Sequence, residues 1–151
     1  MKKFIFILGC VTQLNAKTCE FCIPEIIKNQ KVFESQYFNV LLDYEPRVPG
    51  HLLVIPKRHI FKAHELSQGE WSELGDIIPK ITNVCSEFLG TSDYIILEKN
   101  GFNAFQQVPH VHFHFFPVHS EAWSDIFDIV PDPLCQEDLE RQVVLFRGYF
   151  N

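Results

Sequence analysis

Apolar residues along the chain alternate or cluster in short runs that predict β-strands on both sides of one long amphipathic helix. Before the helix, the runs Phe38–Leu42 and Leu52–Ile55 are separated by the turn-rich segment EPRVPG, which indicates an antiparallel pair. After the helix, Tyr94–Leu97 has a strand-like pattern. A polar loop, 99–109, then leads into a strand predicted at His110–Phe116.

The long helix is predicted from Ser67 to Leu89, where apolar residues recur with helical period. Pro79 lies inside it, so a kink or a split at that residue stays open. A shorter helix is predicted at Gln136–Phe146, after a loop marked by prolines. Strands before and after one main helix, without β-α alternation, indicate an α+β fold. We expect an antiparallel sheet of about five strands with the helix covering one face.

Length and composition are those of one soluble domain. The chain has 151 residues, 46% of them hydrophobic and 21% charged, and its fifteen phenylalanines predict an aromatic-rich core. We assign residues 17–151 to this domain, with an extension after residue 117. The net charge of −6, with no Lys/Arg run longer than a pair, argues against a nucleic acid polymer as partner. Any phosphate bound here is expected to be small and held locally.

The first sixteen residues require separate treatment. Two lysines, an apolar run from Phe4 to Val11 and a small residue, Ala16, are similar to a secretory signal. The alternative is an uncleaved apolar segment. The run is too short to cross a bilayer as a helix, so we expect no stable membrane insertion. A cytoplasmic location is predicted, with export as the alternative.

Two of the five cysteines have the spacing of a metal-ligand pair. Cys19 and Cys22, in the segment CEFC, allow two thiolates to hold one metal ion, which then requires two further ligands. The other three cysteines stand apart and form a poor disulfide framework. A disulfide between Cys19 and Cys22 is the alternative, and export would favour it.

Three of the seven histidines occupy alternate positions in the run PHVHFHFFP. On a strand, His110, His112 and His114 project from one face about 6.6 Å apart, while the apolar residues between them project into the core. The residues alone leave three interpretations open. The histidines occur together by chance on an exposed face, they bind a metal ion, or one of them is a neutral imidazole that acts as a nucleophile.

Four blocks of the chain, in order, resemble the histidine triad (HIT) family of nucleotide hydrolases and transferases. The blocks are LLDYEP, GHLLVIPKRHI, NG followed by QQVPH, and the triad pattern HVHFHFF itself, at residues 41–46, 50–60, 100–110 and 110–116. The resemblance covers about Cys19 to Pro117. It implies cleavage of a phosphoramidate or phosphoanhydride at the α-phosphorus, with release of a nucleoside monophosphate. A nucleotide-binding module without turnover and a nucleotidyl transferase are the alternatives.

The resemblance also implies roles for individual residues. His112 would attack the α-phosphorus, His114 would bind phosphate oxygens or the bridging atom, and His51 would lie near the phosphates. Asp43 would accept hydrogen bonds from ribose hydroxyls, with a structural Asp at a turn as the alternative. The family implies a purine nucleotide or dinucleotide as substrate, and a homodimer formed through the helix and an edge strand.

The phosphate loop of the family corresponds here to Lys99, Asn100, Gln106 and Gln107. This loop departs from the family pattern at three positions. Phe105 replaces a glycine that allows close backbone approach, Lys99 replaces a polar amide, and Gln107 replaces a Ser or Thr. Lys99 either supplies charge to a polyphosphate leaving group or points into solvent. The replacement at Gln107 leaves proton delivery to the leaving group open.

Some bacterial branches of the family hold a structural zinc ion with four residues. The matching positions in this chain are Cys19, Cys22, His59 and His110. Two thiolates and two imidazoles form a closed tetrahedral set, which is typical of structural zinc. Such an ion would attach the N-terminal segment to the sheet. His64 and His119 are expected to be surface residues.

Overall fold

The computed structural model describes residues 19–119 and 123–150. The strands are β1 (Lys31–Glu34), β2 (Phe38–Leu42), β3 (Leu52–Pro56), β4 (Tyr94–Glu98) and β5 (Phe113–Pro117). The helices are α1 (Pro24–Gln30), α2 (Gln68–Leu89), α3 (Trp123–Asp128) and α4 (Gln136–Phe150), with short 3₁₀ turns at 20–22, 63–65 and 102–104. The signal-like segment 1–16 lies outside the described residues.

The five strands form one antiparallel sheet in the order β1-β2-β3-β5-β4. Its β2–β3 pair is the one predicted from the two apolar runs. β5 lies between β3 and β4, so His114 pairs with Leu53 on one side and with Leu97 on the other. The predicted α+β fold is confirmed, and the histidine segment enters the middle of the sheet.

The long helix α2 has a defined beginning and end. The Ser67 hydroxyl accepts the N–H of Glu70, and the Glu70 carboxylate accepts the N–H of Ser67, which is a capping box. The helix ends at Gly90 in the left-handed conformation. It continues through Pro79 because its apolar face packs into the core on both sides of that residue, with Leu74, Ile77, Ile81 and Val84 buried.

The histidine strand is shorter than the sequence predicted. β5 begins at Phe113 rather than at His110. The N–H of Val111 donates to the carbonyl of Ile60, which lies outside the β3–β5 ladder, and Nδ1 of His112 forms a hydrogen bond with the carbonyl of His110. These two residues therefore do not join the ladder. The predicted alternation nevertheless holds, since the intervening apolar residues lie in the main core: Val111, Phe113 and Phe115.

The main helix α2 covers one face of the sheet, as predicted, and further helices lie on both faces. α2 and α4 enclose the main core. On the other face, α1 packs over Leu41, Leu53 and Ile55, and α3 places Ile126 against Phe116. The short helices α1 and α3 were not predicted, and α4 continues to Phe150 rather than ending at Phe146. Within the described residues, no helix combines the length and apolarity needed to cross a membrane.

Candidate active site and metal centre

A cavity of about 330 Å³ opens on the second face of the sheet. Its volume is at the lower end of the range for small-molecule sites. Residues from the ends of β2 and β4, from the turn before β3 and from β5 converge on it. Among its lining residues are six that the sequence singled out, namely Asp43, His51, Lys99, Gln107, His112 and His114.

His112 is held in one ring orientation with one nitrogen left for a substrate. Its Nδ1 lies 2.8 Å from the carbonyl oxygen of His110 and donates its proton there, so Nε2 carries the lone pair. The ring is 6% exposed and packs edge-on against Phe21. Burial lowers the pKa of His112 below its usual 6.5, and the charge of Lys99 lowers it further, against the bond to His110. The imidazole is therefore neutral at pH 7.

Asp43, His51 and His114 lie in a row beside His112. The Nε2 atom of His51 lies 3.0 Å from Nδ1 of His114, and its Nδ1 atom lies 3.2 Å from Oδ2 of Asp43. The ligand atoms of these three residues are close enough for a metal site. However, His51 turns its two nitrogens towards different partners, so the three groups do not converge on one ion. The N–H of Arg47 donates to Nδ1 of His51 at 3.5 Å, so His51 carries its proton on Nε2 and donates it to His114.

The imidazoles of His51 and His114 are neutral near pH 7. Burial lowers the pKa of His114 to about 3, and the charge of Lys99 adds to the effect. Burial also lowers the pKa of His51 well below 6.5. Because neither ring is charged, each has one N–H and one lone pair, and the bond from His51 leaves the N–H of His114 on Nε2.

The turn at 43–51 places both Asp43 and His51. The N–H of Glu45 donates to Oδ1 of Asp43, as in the structural alternative, while Oδ2 faces His51. Gly50 has φ 77°, and a Cβ there would lie 2.4 Å from Cδ1 of Leu89, so the turn requires glycine. Burial raises the pKa of Asp43 to about 6. Donors that approach this carboxyl will therefore favour its ionised form.

Asn100 and Gln106 shape the phosphate loop rather than line the cavity. The Gln106 amide accepts the N–H of Gly101 at 2.6 Å and donates to the carbonyl of Phe61 at 3.1 Å. Oδ1 of Asn100 accepts the N–H of Ala63 at 2.8 Å. Both side chains therefore use their hydrogen bonds within the fold. We infer that they hold the loop 99–109 in the conformation that places Lys99 and Gln107 at the cavity.

Several other lining residues were not identified from the sequence, among them Phe21 and Arg47. Phe21 lies in the segment CEFC, which was considered only for its two cysteines, and no pattern marked Arg47. The Arg47 guanidinium donates to carbonyl oxygens at the end of α3, 3.3 Å from Phe127 and 2.5 Å from Ile129. It thereby joins the turn at the cavity to the C-terminal extension.

The predicted metal ligands Cys19, Cys22, His59 and His110 come together beside the cavity, with all four ligand atoms within 4.8 Å of one another. Sγ of Cys19 lies 3.4 Å from Nδ1 of His110, and Sγ of Cys22 lies 3.3 Å from Nδ1 of His59 and 3.7 Å from that of His110. These distances bracket the sulfur–nitrogen edge of about 3.6 Å in a tetrahedral zinc site. Both cysteines are free thiols.

The surroundings of the cluster suit a metal ion. Nε2 of His110 donates to the carbonyl of Pro56 at 3.0 Å, which leaves the lone pair on Nδ1 facing the two sulfur atoms. Burial lowers the pKa of His110 to about 4, which keeps the ring neutral. Burial also raises the pKa of the Cys19 thiol to about 12, so a thiolate there requires a cation. The four residues therefore fit a closed structural site.

Comparison with known families agrees with this geometry. A family model described as the HIT domain matches residues 25–121, more than half of the 151 residues. This chain belongs to the HIT domain family. The predicted resemblance is thus confirmed. Cys19 and Cys22 precede the matched HIT domain, and α4 follows it.

Individual HIT proteins match over most of the chain. An adenosine 5'-monophosphoramidase of Schizosaccharomyces pombe is 36% identical over 110 residues, which are 70% of this chain and 78% of that protein. A bis(5'-adenosyl)-triphosphatase of Dictyostelium discoideum is 30% identical over 95 residues, 62% of this chain and 64% of that protein. The crystal structure of a zinc-bound histidine triad family protein from Mycobacterium smegmatis superposes with a TM-score of 0.70 at 26% identity, covering 90% of this chain and 95% of that one.

Proposed function

We propose that this HIT domain protein is a nucleotide hydrolase. It cleaves a phosphoramidate or phosphoanhydride at the α-phosphorus of a purine nucleotide through a nucleotidyl-histidine intermediate. The observation that carries the proposal is the neutral His112, whose Nδ1 is bonded to the His110 carbonyl and whose ring lines the cavity. The hydrolase names of the Schizosaccharomyces and Dictyostelium relatives support it.

The reaction proceeds in two displacements at one phosphorus atom. First, Nε2 of His112 forms a bond to the α-phosphorus while the bond to the leaving group breaks, and the leaving group takes the electron pair and a proton. The ring becomes positively charged, and the carbonyl of His110 stabilises that charge through Nδ1–H. Water then attacks the phosphorus, the P–N bond breaks with its electron pair going to Nε2, and the proton lost by the water passes to solvent. The products are a nucleoside monophosphate and neutral His112.

We assign to His114 a hydrogen bond to the leaving group. Nδ1 of His51 accepts the N–H of Arg47, so His51 donates through Nε2 to Nδ1 of His114, and His114 carries its own N–H on Nε2. That N–H donates to a phosphate oxygen or to the bridging atom. The leaving group takes its proton from solvent water, since Gln107, which replaces the family's hydroxyl residue, is an amide without an acidic proton.

Other lining residues are assigned to recognition. Asp43 accepts hydrogen bonds from the ribose hydroxyls, since its carboxyl borders the cavity and ionises more fully when donors approach. Lys99 and Gln107 contact phosphate oxygens from the loop between β4 and β5. Asn100 and Gln106 contribute by holding that loop.

We further propose that the cluster of two cysteines and two histidines holds a structural zinc ion. Its ligands are Cys19, Cys22, His59 and His110, whose sulfur–nitrogen spacing supports a tetrahedral ion. With four protein ligands, no coordination position remains for a substrate. The ion would therefore supply rigidity to the segment around His110 and no step of the reaction.

A homodimer and a cytoplasmic location complete the proposal. β4 is an edge strand, and large apolar side chains are exposed on it and on the neighbouring helix α2: Tyr94, Ile96 and Trp71. These residues support association with a second copy through β4 and α2.

The free thiols of Cys19 and Cys22 support a reducing compartment. The mass of the native protein tests this, because loss of the first sixteen residues would indicate export.

The central test follows AMP release from adenosine 5'-phosphoramidate and diadenosine tetraphosphate by chromatography. We expect the His112→Ala variant to lose activity by about three orders of magnitude or more. His64→Ala, which removes an exposed histidine, should retain it. Mass spectrometry of the wild type after a rapid quench should show a nucleotidyl adduct that is lost in His112→Ala. Binding without AMP release by folded, metal-loaded wild type would refute hydrolysis, and new products with added phosphate acceptors would indicate a transferase.

A further inference from the structure

Phe105 combines two features that folding alone does not favour. Within the described residues it is the only non-glycine residue with positive φ, at φ 60° and ψ 31°. A side chain in this left-handed conformation is strained, and a bulky one especially so. Its ring is also 79% exposed, so burial does not compensate for the strain. Such residues concentrate at functional sites.

The location of Phe105 connects it with the proposed active site. The ring lines the cavity of His112 and His114, and it also lines a neighbouring cavity of about 540 Å³. Gln107 is likewise shared by the two cavities. The second cavity includes Phe102, which is 90% exposed. A solvent-accessible compartment with two phenyl rings thus adjoins the histidines.

The volume of the first cavity and the charge of Lys99 in its lining indicate which part of a ligand the second cavity binds. The first, at about 330 Å³, is small for a ligand with two nucleosides. The leaving half of such a ligand must therefore extend past the shared wall at Phe105 and Gln107. Lys99 lines the first cavity together with this wall, where it can meet the phosphates that join the two halves. Exposed aromatic rings bind nucleobases by stacking, whichever base is present.

We propose that Phe102 and Phe105 form a stacking site for a planar ring carried by the leaving group. This inference rests on the proposed function and narrows its substrate class to dinucleoside polyphosphates, in which the second base occupies this site. Lys99 contacts the intervening phosphates. A phosphoramidate that releases only ammonia has no ring to place there.

The test measures binding and turnover separately. Phe105→Gly and Phe105→Asn remove the ring but tolerate the left-handed backbone, and Phe102→Ala removes the second ring. Tyr149→Ala is the control, since it removes an exposed aromatic ring that lines neither cavity. Each variant is placed in the His112→Ala background. Dissociation constants are then measured for diadenosine tetraphosphate and for adenosine tetraphosphate, which lacks the second nucleoside.

We expect the Phe105 variants to bind diadenosine tetraphosphate about tenfold more weakly, with adenosine tetraphosphate unchanged. Phe102→Ala should act in the same direction, and Tyr149→Ala should change neither constant. With His112 restored, kcat/KM should fall for diadenosine tetraphosphate only, while adenosine 5'-phosphoramidate reports the underlying chemistry.

Several outcomes would overturn the stacking site. If both ligands bind more weakly by the same factor, Phe105 acts through the conformation of the loop. If neither dissociation constant changes, the two rings do not contact these ligands. A change in oligomeric state without a change in ligand preference would assign the rings to a subunit contact. If the wild type hydrolyses none of the compounds while the selective binding loss is observed, the proposed hydrolase activity fails and the stacking site stands.

Discussion

The ring nitrogen Nδ1 of His112 lies 2.8 Å from the carbonyl oxygen of His110. His110 therefore has two contacts that matter for the site. Its ring faces the thiols of Cys19 and Cys22, and its backbone orients the proposed nucleophile. Phe21, between the two cysteines, packs against the His112 ring at a centroid distance of 5.2 Å. The candidate metal site and the candidate active site are thus adjacent, and both contain contacts with His110 and Phe21.

Removal of a metal ligand should therefore affect both stability and turnover. We expect Cys22→Ser to lose the bound zinc, to lower the unfolding free energy by at least about 2 kcal/mol, and to reduce AMP release through Phe21 and His110. Metal content by mass spectrometry and denaturant unfolding check this. Cys135→Ser, which changes an exposed free cysteine, is the matched control. A zinc-free Cys22→Ser protein as stable as the wild type would contradict the structural role.

Asp43 should determine the preference for ribose. We expect Asp43→Asn to raise KM for adenosine substrates about tenfold while leaving the backbone intact, since the amide oxygen can still accept the N–H of Glu45. The informative comparison is with the matching 2'-deoxyadenosine substrates. Their KM should change little in the variant, because one of the hydroxyls that Asp43 binds is already missing. If Asp43→Asn affects both substrates equally, the residue serves the structure of the turn instead.

The stability of the protein should fall as pH decreases from 7 to 5. The pKa of His114 is lowered to about 3 and that of His51 well below 6.5, so the folded state keeps both rings neutral while the unfolded chain takes up protons below pH 6.5. At pH 5 the difference at His114 costs about 2 kcal/mol, and His51 acts in the same direction. Asp43 acts in the opposite direction. Its pKa is raised to about 6, so it is protonated more readily in the folded state and offsets roughly 1 kcal/mol.

Denaturant unfolding at several pH values measures this dependence. The wild type should lose at least about 1 kcal/mol between pH 7 and pH 5, the His114 contribution less the offset from Asp43, with His51 adding to the loss. The variant His114→Gln, which cannot titrate at this position, should lose less over the same interval even if it is less stable at pH 7. An identical pH dependence in the two proteins would show that His114 is not held neutral by the fold.

The proposed homodimer is tested at the edge strand β4. Ile96, 40% exposed, lies on this strand, and we expect Ile96→Asp to convert the dimer to a monomer because a carboxylate would be buried without a partner. Val144→Asp, at a residue that is 63% exposed on α4, is the control. Sedimentation velocity distinguishes the two forms. A wild-type monomer, or an Ile96→Asp dimer, would argue against this interface.

Features that depend on neighbours in sequence were predicted well. The period of apolar residues located β2, β3, β4 and α2, because a half-buried strand or helix must place its apolar side chains on one face. The alternation at 110–116 correctly separated His112 and His114 from the core residues Phe113 and Phe115. The short helices α1 and α3 were missed, since six or seven residues carry too little periodicity to recognise.

The sequence by itself determined the α+β class, the family and six of the residues that converge on the cavity, because motif spacing and side-chain chemistry are local properties of the chain. Only the tertiary structure decided how those residues are used. In the folded protein, Gln106 forms a hydrogen bond with the carbonyl of Phe61, and Arg47 and Phe21 line the cavity. Phe105 adopts a left-handed conformation and lines both cavities. These outcomes depend on contacts between distant segments, such as Gln106 with Phe61, and the energies of such contacts arise only when the chain is folded.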